Sequence, residues 1–335
     1  MFPAVQADRF SAVLLSPRIL YFSPRQLIMD CHKSVKADGG YAEHLLQSRS
    51  LLSALRAGGS YSSQSTKFCP PLEWCRAVEA YSFMKLSNSR DKLTAFGAAA
   101  QEFGTKLFKS SPDILGNCYL AGHWQQHLPW TLLWSVRELR PRPSYRAPSW
   151  SWAAVDSPVT FPIISLPSVH RDRLTTTVRD HQIMRAGYTE FGFGPVFDGL
   201  LVVDGLMKAV PWCYIDSGRA HLKDEAHGFD EEHGVDALDP WVTGMMPPLS
   251  IWLLLVIALP SNEAEALCGT KERLTPGLRY IDEFEFRGQA LLLRQKNNNE
   301  FSRIGRVELV SMRWKDPQDW IEWQDSFTRR SFVLV

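Results

Sequence analysis

The sequence predicts an α+β protein in which a helical first half packs on a β-rich, mostly antiparallel C-terminal half. Before Pro141, apolar residues recur every three or four positions, which is the spacing of one helical face. Beyond Val159, separate runs rich in Val, Leu and Ile are parted by polar stretches, which is typical of strands. The chain has 335 residues, of which 45% are hydrophobic and 12% aromatic, so it has room for two domains and a well-buried core.

A β-hairpin is predicted near the start of the chain. Residues 19–22 and 26–31 are short apolar runs that flank the sequence Ser-Pro-Arg at 23–25, in which proline restricts one backbone dihedral. The two runs are therefore expected to pair as neighbouring strands.

Three helices are predicted after the hairpin. The first covers residues 41–55 and ends at Gly58 and Gly59, because glycine favours helix ends. The second starts near Pro71, which a first helical turn tolerates, and runs through Trp74, Val78 and Tyr81. The third is capped by Ser89. Its apolar positions recur by three and four: Leu93, Phe96, Ala100, Phe103 and Leu107.

Strands are predicted to follow once Pro141, Pro143 and Pro148 have interrupted helical order. Trp150 and Trp152 alternate with small residues, which predicts a strand with both indoles on one face. The later strands are predicted at residues 200–203, 251–259, 290–293, 306–310 and 331–335. Because these runs are far apart in sequence, we expect mostly antiparallel pairing with long excursions, of which residues 220–240 form the longest.

Composition and charge narrow the class of protein. The 37 Lys and Arg residues are balanced by 36 Asp and Glu residues, so no nucleic-acid partner is expected. The longest apolar run, at 249–259, has about half the length that a membrane-spanning helix needs. The first thirty residues lack the apolar region of a signal peptide. The six cysteines are scattered, as is typical of reduced thiols. We therefore expect a cytoplasmic protein without a membrane partner.

The most specific segment is 119–156. It contains Tyr-Leu-Ala-Gly-x-Trp, then Leu-Leu-Trp, then Tyr-Arg-Ala-Pro-Ser-Trp-Ser-Trp-Ala followed by Val-Asp. This segment resembles the distal part of fungal heterokaryon incompatibility (HET) domain-containing proteins, and a weaker resemblance covers most of the chain, including residues 14–31. We assign a structural or interface role to these matching residues: Arg18, Trp124, Trp134, Tyr145, Arg146, Pro148, Ser149, Trp150, Ser151, Trp152 and Asp156.

The resemblance implies a chain that lacks the N-terminal part of the HET domain. Two of the family's opening motifs, a Tyr-x-x-Leu-Ser-Tyr-x-Trp-Gly-like strand and a Trp-Ile-Asp-x-x-Cys-Ile-Asp-Gln-like stretch, do not occur in the sequence. Three parts are therefore predicted. Residues 1–57 are a remnant of the α/β incompatibility domain, residues 58–158 are a helical region that ends in the Trp-Ser-Trp strand, and residues 159–335 form a β-rich C-terminal domain.

Two groups of histidines have metal-compatible spacing. His123 and His127 stand four apart on a predicted helix, but His-Trp-Gln-Gln-His lacks the Glu that zincins use as general base, so a helix surface is the preferred interpretation. His221, His227 and His233 lie among acidic residues. That stretch is interpreted as a flexible acidic loop, with a weak divalent-metal site as the alternative. We predict no metal ligands.

Two further patterns are weak signals for catalysis or cofactor binding. Cys31 and His32 are neighbours on a predicted strand and would point to opposite faces, so they cannot act as nucleophile and base. The glycines at 192–199 lack the Gly-x-Gly-x-x-Gly order of a dinucleotide-binding loop, which favours a loop that enters a strand. No catalytic or cofactor-binding residue and no cofactor is therefore predicted.

The Trp-Ser-Trp element has two interpretations. Two co-facial tryptophans favour a core strand, in which Arg146 stacks on an indole or bridges to Asp156. The alternative is an inter-domain or partner surface, because Trp, Tyr and Arg dominate binding hot spots. The resemblance itself implies a role in fungal non-self recognition or programmed cell death signalling.

For this chain the sequence therefore predicts a non-enzymatic interaction or regulatory role with a protein partner. Two alternatives remain open. One is an accessory protein or enzyme of a specialised metabolic pathway, with a ligand pocket in the β-rich half. The other is a truncated gene product without function of its own.

Overall fold

The computed structural model describes 14 segments of the chain, which are residues 16, 18–22, 26–31, 34–39, 72–108, 116–161, 174–185, 192–210, 215–216, 219–220, 233–235, 251–259, 286–311 and 322–335. Two longer α-helices are present in them, α1 (Leu72–Ser82) and α2 (Lys92–Phe108). The strands of the first half are β1 (Arg18–Phe22), β2 (Leu27–Cys31), β3 (Val35–Ala37), β4 (Tyr119–Leu120), β5 (His123–Trp124), β6 (Ser135–Val136) and β7 (Val159–Thr160). The strands of the second half are β8 (Thr177–Arg185), β9 (Val196–Val210), β10 (Ile215–Asp216), β11 (Arg219–Ala220), β12 (His233–Val235), β13 (Ile251–Leu259), β14 (Phe286–Gln295), β15 (Glu300–Ser311) and β16 (Thr328–Leu334).

The predicted N-terminal hairpin is confirmed. β1 and β2 pair antiparallel, with Arg18 opposite Cys31 and Phe22 opposite Leu27. β3 adds a third strand on the other side of β2. The hairpin therefore forms a small three-stranded sheet that is separate from the large one. The helix predicted at residues 41–55 lies outside the described residues.

The two helices that carry Trp74 and Phe96 are confirmed, with one correction at a helix start. Ser89 was predicted to cap the second of them, but it begins a short 3-10 turn, Ser89–Asp91, that leads into α2. Asn88 is the cap, and its side-chain oxygen accepts a hydrogen bond from the backbone N–H of Arg90. Asparagine caps as well as serine does, so the choice between neighbours depends on where the chain turns.

Five strands of the second half form a closed hydrogen-bonded ring. β9 pairs with β13, β13 with β14, β14 with β15, β15 with β16, and β16 again with β9. Only the β15–β16 pairing is parallel, and it consists of two residue pairs. This short pairing covers part of the edges that β15 and β16 would otherwise leave unpaired. The prediction of a β-rich, mostly antiparallel second half is confirmed.

Strand β8 was not predicted, although it is nine residues long. It pairs with the first half of β9, which continues beyond the ring. Its sequence, Thr-Val-Arg-Asp-His-Gln-Ile-Met-Arg, is mostly polar and exposed, so it gives little apolar signal. Main-chain pairing with β9 holds it in place.

One hydrophobic cluster joins the helices, the Trp-rich segment and one face of the ring. It runs from Trp74 on α1 through Trp124 and Trp152 to Leu291 on β14 and Phe332 on β16. A second cluster lies on the other face of the ring strands and includes Leu255, Trp323 and Phe327. The first cluster crosses the boundary predicted at residue 158, whereas the division into three domains stays a prediction.

The α+β class is confirmed, but a helical first half is not. Within the described residues, 116–161 contain only two-residue strands, 3-10 turns and irregular backbone after a short helical piece at 116–118. Trp150 and Trp152 do not lie on a strand, and the chain turns at this point into a 3-10 helix, Trp152–Ala154. The strand that was predicted from the alternation of Trp150 and Trp152 with small residues is therefore wrong.

Gly104 on α2 gives a test of this packing. A Cβ atom there would lie 2.3 Å from the buried indole of Trp124. Gly104→Ala gains about 1 kcal/mol of helix propensity, but overpacking costs about 1–3 kcal/mol, so we expect a net loss in the free energy of unfolding measured with urea. Ala98, on the same helix, is exposed, so Ala98→Gly should cost only the propensity. A Gly104→Ala protein more stable than the parent would contradict the close contact.

Candidate functional site

The tryptophans of the predicted motif form a buried aromatic unit. Trp124, Trp134, Trp150 and Trp152 are each 0% exposed. Trp152 packs edge-on against Phe96 of α2, with ring centroids 5.4 Å apart, and Trp124 packs against Trp74 of α1 at 5.5 Å. Both tryptophans of the Trp-Ser-Trp element therefore pack in the core, in one cluster with residues of the helices and of the β-ring.

Side-chain donors hold the turn at residues 150–154. The indole N–H of Trp134 donates to the main-chain oxygen of Trp150 at 3.0 Å, and that of Trp152 donates to Gly122 at 2.8 Å. The hydroxyl of Ser151 donates to Ala121 at 2.6 Å and accepts from the N–H of Ala153. Gly122 has a φ of +99°, and a Cβ atom there would lie 2.4 Å from the indole nitrogen of Trp152.

Arg146 is almost fully buried and donates hydrogen bonds to main-chain carbonyls at the end of the turn. Its guanidinium donates to the oxygens of Ala153 and Val155 at 2.6 Å each. It also forms an ion pair with Asp156, with 2.6 Å between Nη1 and Oδ1. The predicted bridge between Arg146 and Asp156 is confirmed. Stacking on an indole is made by other cations, including Arg303.

Lys92 is a second buried cation at this turn, and the sequence did not single it out. Its ammonium donates to the oxygen of Val155 at 2.5 Å and lies 5.7 Å from the ring centroid of Trp152. Burial, and then the charge of Arg146, lowers the pKa of Lys92 from 10.5 to about 7. The predicted apolar face of this helix begins at Leu93 and does not include Lys92.

Arg303 connects the β-ring to the motif, and sequence reasoning missed it as well. It lies on β15, is 0% exposed, and stacks on the ring of Trp134 at 3.5 Å. Its guanidinium donates to the oxygen of Leu132 at 3.1 Å and to that of Trp134. The sequence did indicate its burial. Arg303 is two positions after the core residue Phe301, and side chains two apart on a strand lie on the same face.

The remaining motif residues have different surroundings. Pro148 is buried, and Ser149 accepts a hydrogen bond from the N–H of Arg303 and donates to the oxygen of Val335. Tyr145 is 58% exposed, and burial, followed by the charge of Asp198, raises its pKa to about 12. Arg18 is exposed on β1, in the separate small sheet.

A cavity of about 400 Å³ lies between the motif and the β-ring. Its wall combines the segment that carries Tyr145 and Ser149 with β9, β14 and β15. Its lining holds five cationic side chains and one carboxylate, which are those of Arg142, Arg146, Arg294, Lys296, Arg303 and Asp198. The cavity therefore carries an excess of positive charge.

The paired histidines are core residues. His123 lies on β5 and His127 in a 3-10 turn, so the predicted helix surface was wrong. His123 Nδ1 is 2.9 Å from the hydroxyl of Thr131. Burial, and then the charge of Arg303, lowers the pKa of His123 to about 3, and burial lowers that of His127 to about 3. Both imidazoles are neutral at physiological pH.

The remaining candidates from the sequence, which are the histidines among acidic residues, Cys31 with His32 and the glycine-rich stretch, form no metal-binding or catalytic arrangement in the described part of the chain. No group of three or more His, Cys, Asp or Glu residues there is placed to hold a metal ion. His221, His227 and His32 lie outside the described residues, and His233 belongs to β12. Cys31 donates from its Sγ to the oxygen of Ser34. The glycine-rich stretch leads into β9, as predicted for a loop that enters a strand.

Comparison with protein-family models, with curated proteins and with solved structures finds no match to this chain. No described helix is long and apolar enough to cross a membrane.

The anchoring role of Arg303 can be measured by denaturation. Arg303→Met leaves the oxygens of Leu132 and Trp134 without their donor, so we expect a loss of about 3 kcal/mol in the free energy of unfolding. Arg306, on the same strand, is half-buried and donates to the side chain of Gln289, so Arg306→Met should cost about 1 kcal/mol. Equal losses in the two variants would contradict the anchor.

Lys92 predicts a stability that depends on pH. Because its pKa is lowered in the folded chain, the unfolded chain binds more protons at this residue between about pH 7 and pH 10.5. The contribution of Lys92 to the free energy of unfolding therefore rises with pH, by on the order of 3 kcal/mol from pH 7 to pH 10. Lys92→Met should remove this rise. Urea denaturation of the parent and of Lys92→Met across this pH range measures the contribution of Lys92 to the free energy of unfolding. Parallel pH profiles of the two proteins would contradict the prediction.

Proposed function

We propose that this chain is a heterokaryon-incompatibility-type protein that acts through contacts with a protein partner in fungal non-self recognition or the cell-death signalling that follows it. The observation that carries the proposal is the motif of residues 119–156. Its matching residues Trp124, Trp134, Arg146 and Trp152 belong to one interlocked buried unit. The residues of the motif therefore depend on one another for their packing and their hydrogen bonds.

The partner contact belongs on the surface beside the motif, because the tryptophans themselves are buried. Tyr145 is 58% and Phe197 68% exposed, and both adjoin Asp198, whose charge acts on Tyr145. Exposed aromatic side chains are the residues most often found at the centre of protein interfaces.

Expression in a fungal host tests this function. We expect the intact chain to arrest growth and Phe197→Ser to weaken the arrest while the amount of soluble protein stays unchanged, because this side chain touches little of the core. Phe83→Ser makes the same change at another exposed phenylalanine and should leave the arrest intact. Growth and soluble protein are scored together.

A buried variant separates loss of folding from loss of function. Trp152→Ala removes a fully buried indole, which costs about 3–5 kcal/mol, so the protein should be lost to aggregation. An intact chain that accumulates in soluble form without any effect on growth would refute the signalling role.

The cavity favours a second candidate, an accessory protein or enzyme with a small-molecule pocket. Its volume of about 400 Å³ falls within the range of ligand sites, about 300–1,000 Å³. It lies against the β-ring, where three strands contribute side chains to its wall. Convergence of several polar groups in one cleft is the feature that this candidate requires.

A further inference from the structure

We infer that the cavity between residues 142–154 and the β-ring binds a small organic oxyanion, one that carries phosphate or carboxylate groups. This inference deepens the second candidate function and does not depend on the signalling role. It stands on three features of the cavity: the charge of its lining, the two cations of the lining that make no hydrogen bond or ion pair within the described residues, and its size.

Four of the five cationic side chains fall into two groups with different roles. The guanidinium groups of Arg146 and Arg303 donate to main-chain carbonyls of the motif, and both residues belong to the cavity lining. Arg294 and Lys296 lie at the end of β14, where both are exposed. Within the described part of the chain, neither of these two side chains forms a hydrogen bond or an ion pair. Their donors are therefore available to a ligand.

Positive charge in a concave site favours an anion over a neutral ligand. Walls of low dielectric constant concentrate the field of the lining charges within the cavity. The guanidinium of Arg294 can bind two oxygens of a phosphate or carboxylate side by side, and the ammonium of Lys296 adds a compact charge. The two buried arginines of the lining, Arg146 and Arg303, raise the potential further, although they donate their own hydrogen bonds to main-chain carbonyls.

The remaining lining groups indicate an organic ligand with hydroxyl groups. At about 30 Å³ for each water-sized group, a cavity of about 400 Å³ holds about a dozen non-hydrogen atoms, which is more than an inorganic phosphate has. The Asp198 carboxylate can accept hydrogen bonds from ligand hydroxyls, and the Tyr145 hydroxyl can donate or accept. Ile304 and Pro143 add apolar surface.

Isothermal titration at pH 7.5 with glucose 6-phosphate, citrate and glucose tests the inference. We expect the full chain to bind glucose 6-phosphate or citrate but not glucose, and the two anions distinguish a phosphate from a carboxylate ligand. The Arg294→Gln/Lys296→Gln variant should bind at least about tenfold more weakly. Affinity should also fall as salt is added.

A charge-matched control excludes a general effect of net charge. Lys36→Gln/Lys85→Gln removes two positive charges at exposed positions outside the cavity lining, and it should retain the affinity of the parent chain. Unchanged thermal midpoints without ligand show that both variants fold. Equal weakening in the two variants, or no binding of either anion at millimolar concentration, overturns the inference. Binding of glucose equal to that of its phosphate overturns the anion specificity, while the small-molecule candidate stands.

Discussion

The structure depends on how a buried segment without regular secondary structure satisfies its main-chain carbonyls. Most of residues 119–134 and 146–155 lie in the core, yet they contain only two-residue strands, 3-10 turns and irregular backbone. Each buried carbonyl without a donor would cost about 1–3 kcal/mol. Side chains supply the donors: the indoles of Trp134 and Trp152, the hydroxyl of Ser151, and the cations of Lys92, Arg146 and Arg303.

This requirement gives the composition of the motif a physical reason. An indole is the one large apolar side chain with a fixed N–H donor, so a tryptophan fills the core and bonds a carbonyl at once. Trp134 and Trp152 both do so here. Leucine or phenylalanine could fill the same volume but would leave the carbonyls of Trp150 and Gly122 unpaired. The glycine at 122 is required for a related reason, because its positive φ brings its carbonyl to the indole and a Cβ would block that approach.

Buried cations from other parts of the chain also donate to carbonyls of this segment. Arg146 belongs to the motif, Lys92 comes from α2, and Arg303 comes from β15, so the helices and the β-ring are both tied to one irregular segment. An arginine reaches two carbonyls in different directions, as Arg303 does for Leu132 and Trp134, and its planar group also stacks on an indole. The cost of desolvation is visible at Lys92, whose pKa falls to about 7.

The sequence was sufficient wherever the local pattern and the tertiary environment agree. The 3.6-residue spacing located α1 and α2, and the apolar runs located β13 and β14, because each of these elements buries a regular stripe or face. The pattern was misleading at Trp150 and Trp152. Alternation of large and small residues fits a strand, but a proline two positions before Trp150 and the cap at Ser151 favour a turn. Only the contact with Ala121 and Gly122, about thirty residues away, decides between the two.

The burial of charged residues in the core was also not predicted from the sequence. The same residues explain why the cavity is positively charged. Sequence reasoning places Lys and Arg on the surface because they are almost never fully buried unless paired. Lys92 and Arg303 are buried because carbonyls of a remote segment act as their partners. Strand alternation places Arg303 on the core-facing side of β15, but no local pattern identifies the carbonyls that pair with either residue. The same packing leaves Arg303 and Arg146 in the lining of one cavity, at the boundary between the motif and the ring. A fold that satisfies its carbonyls with cations gathers positive charge where two of its parts meet, and the cleft at this boundary is therefore electropositive although the chain as a whole has a net charge of only +1.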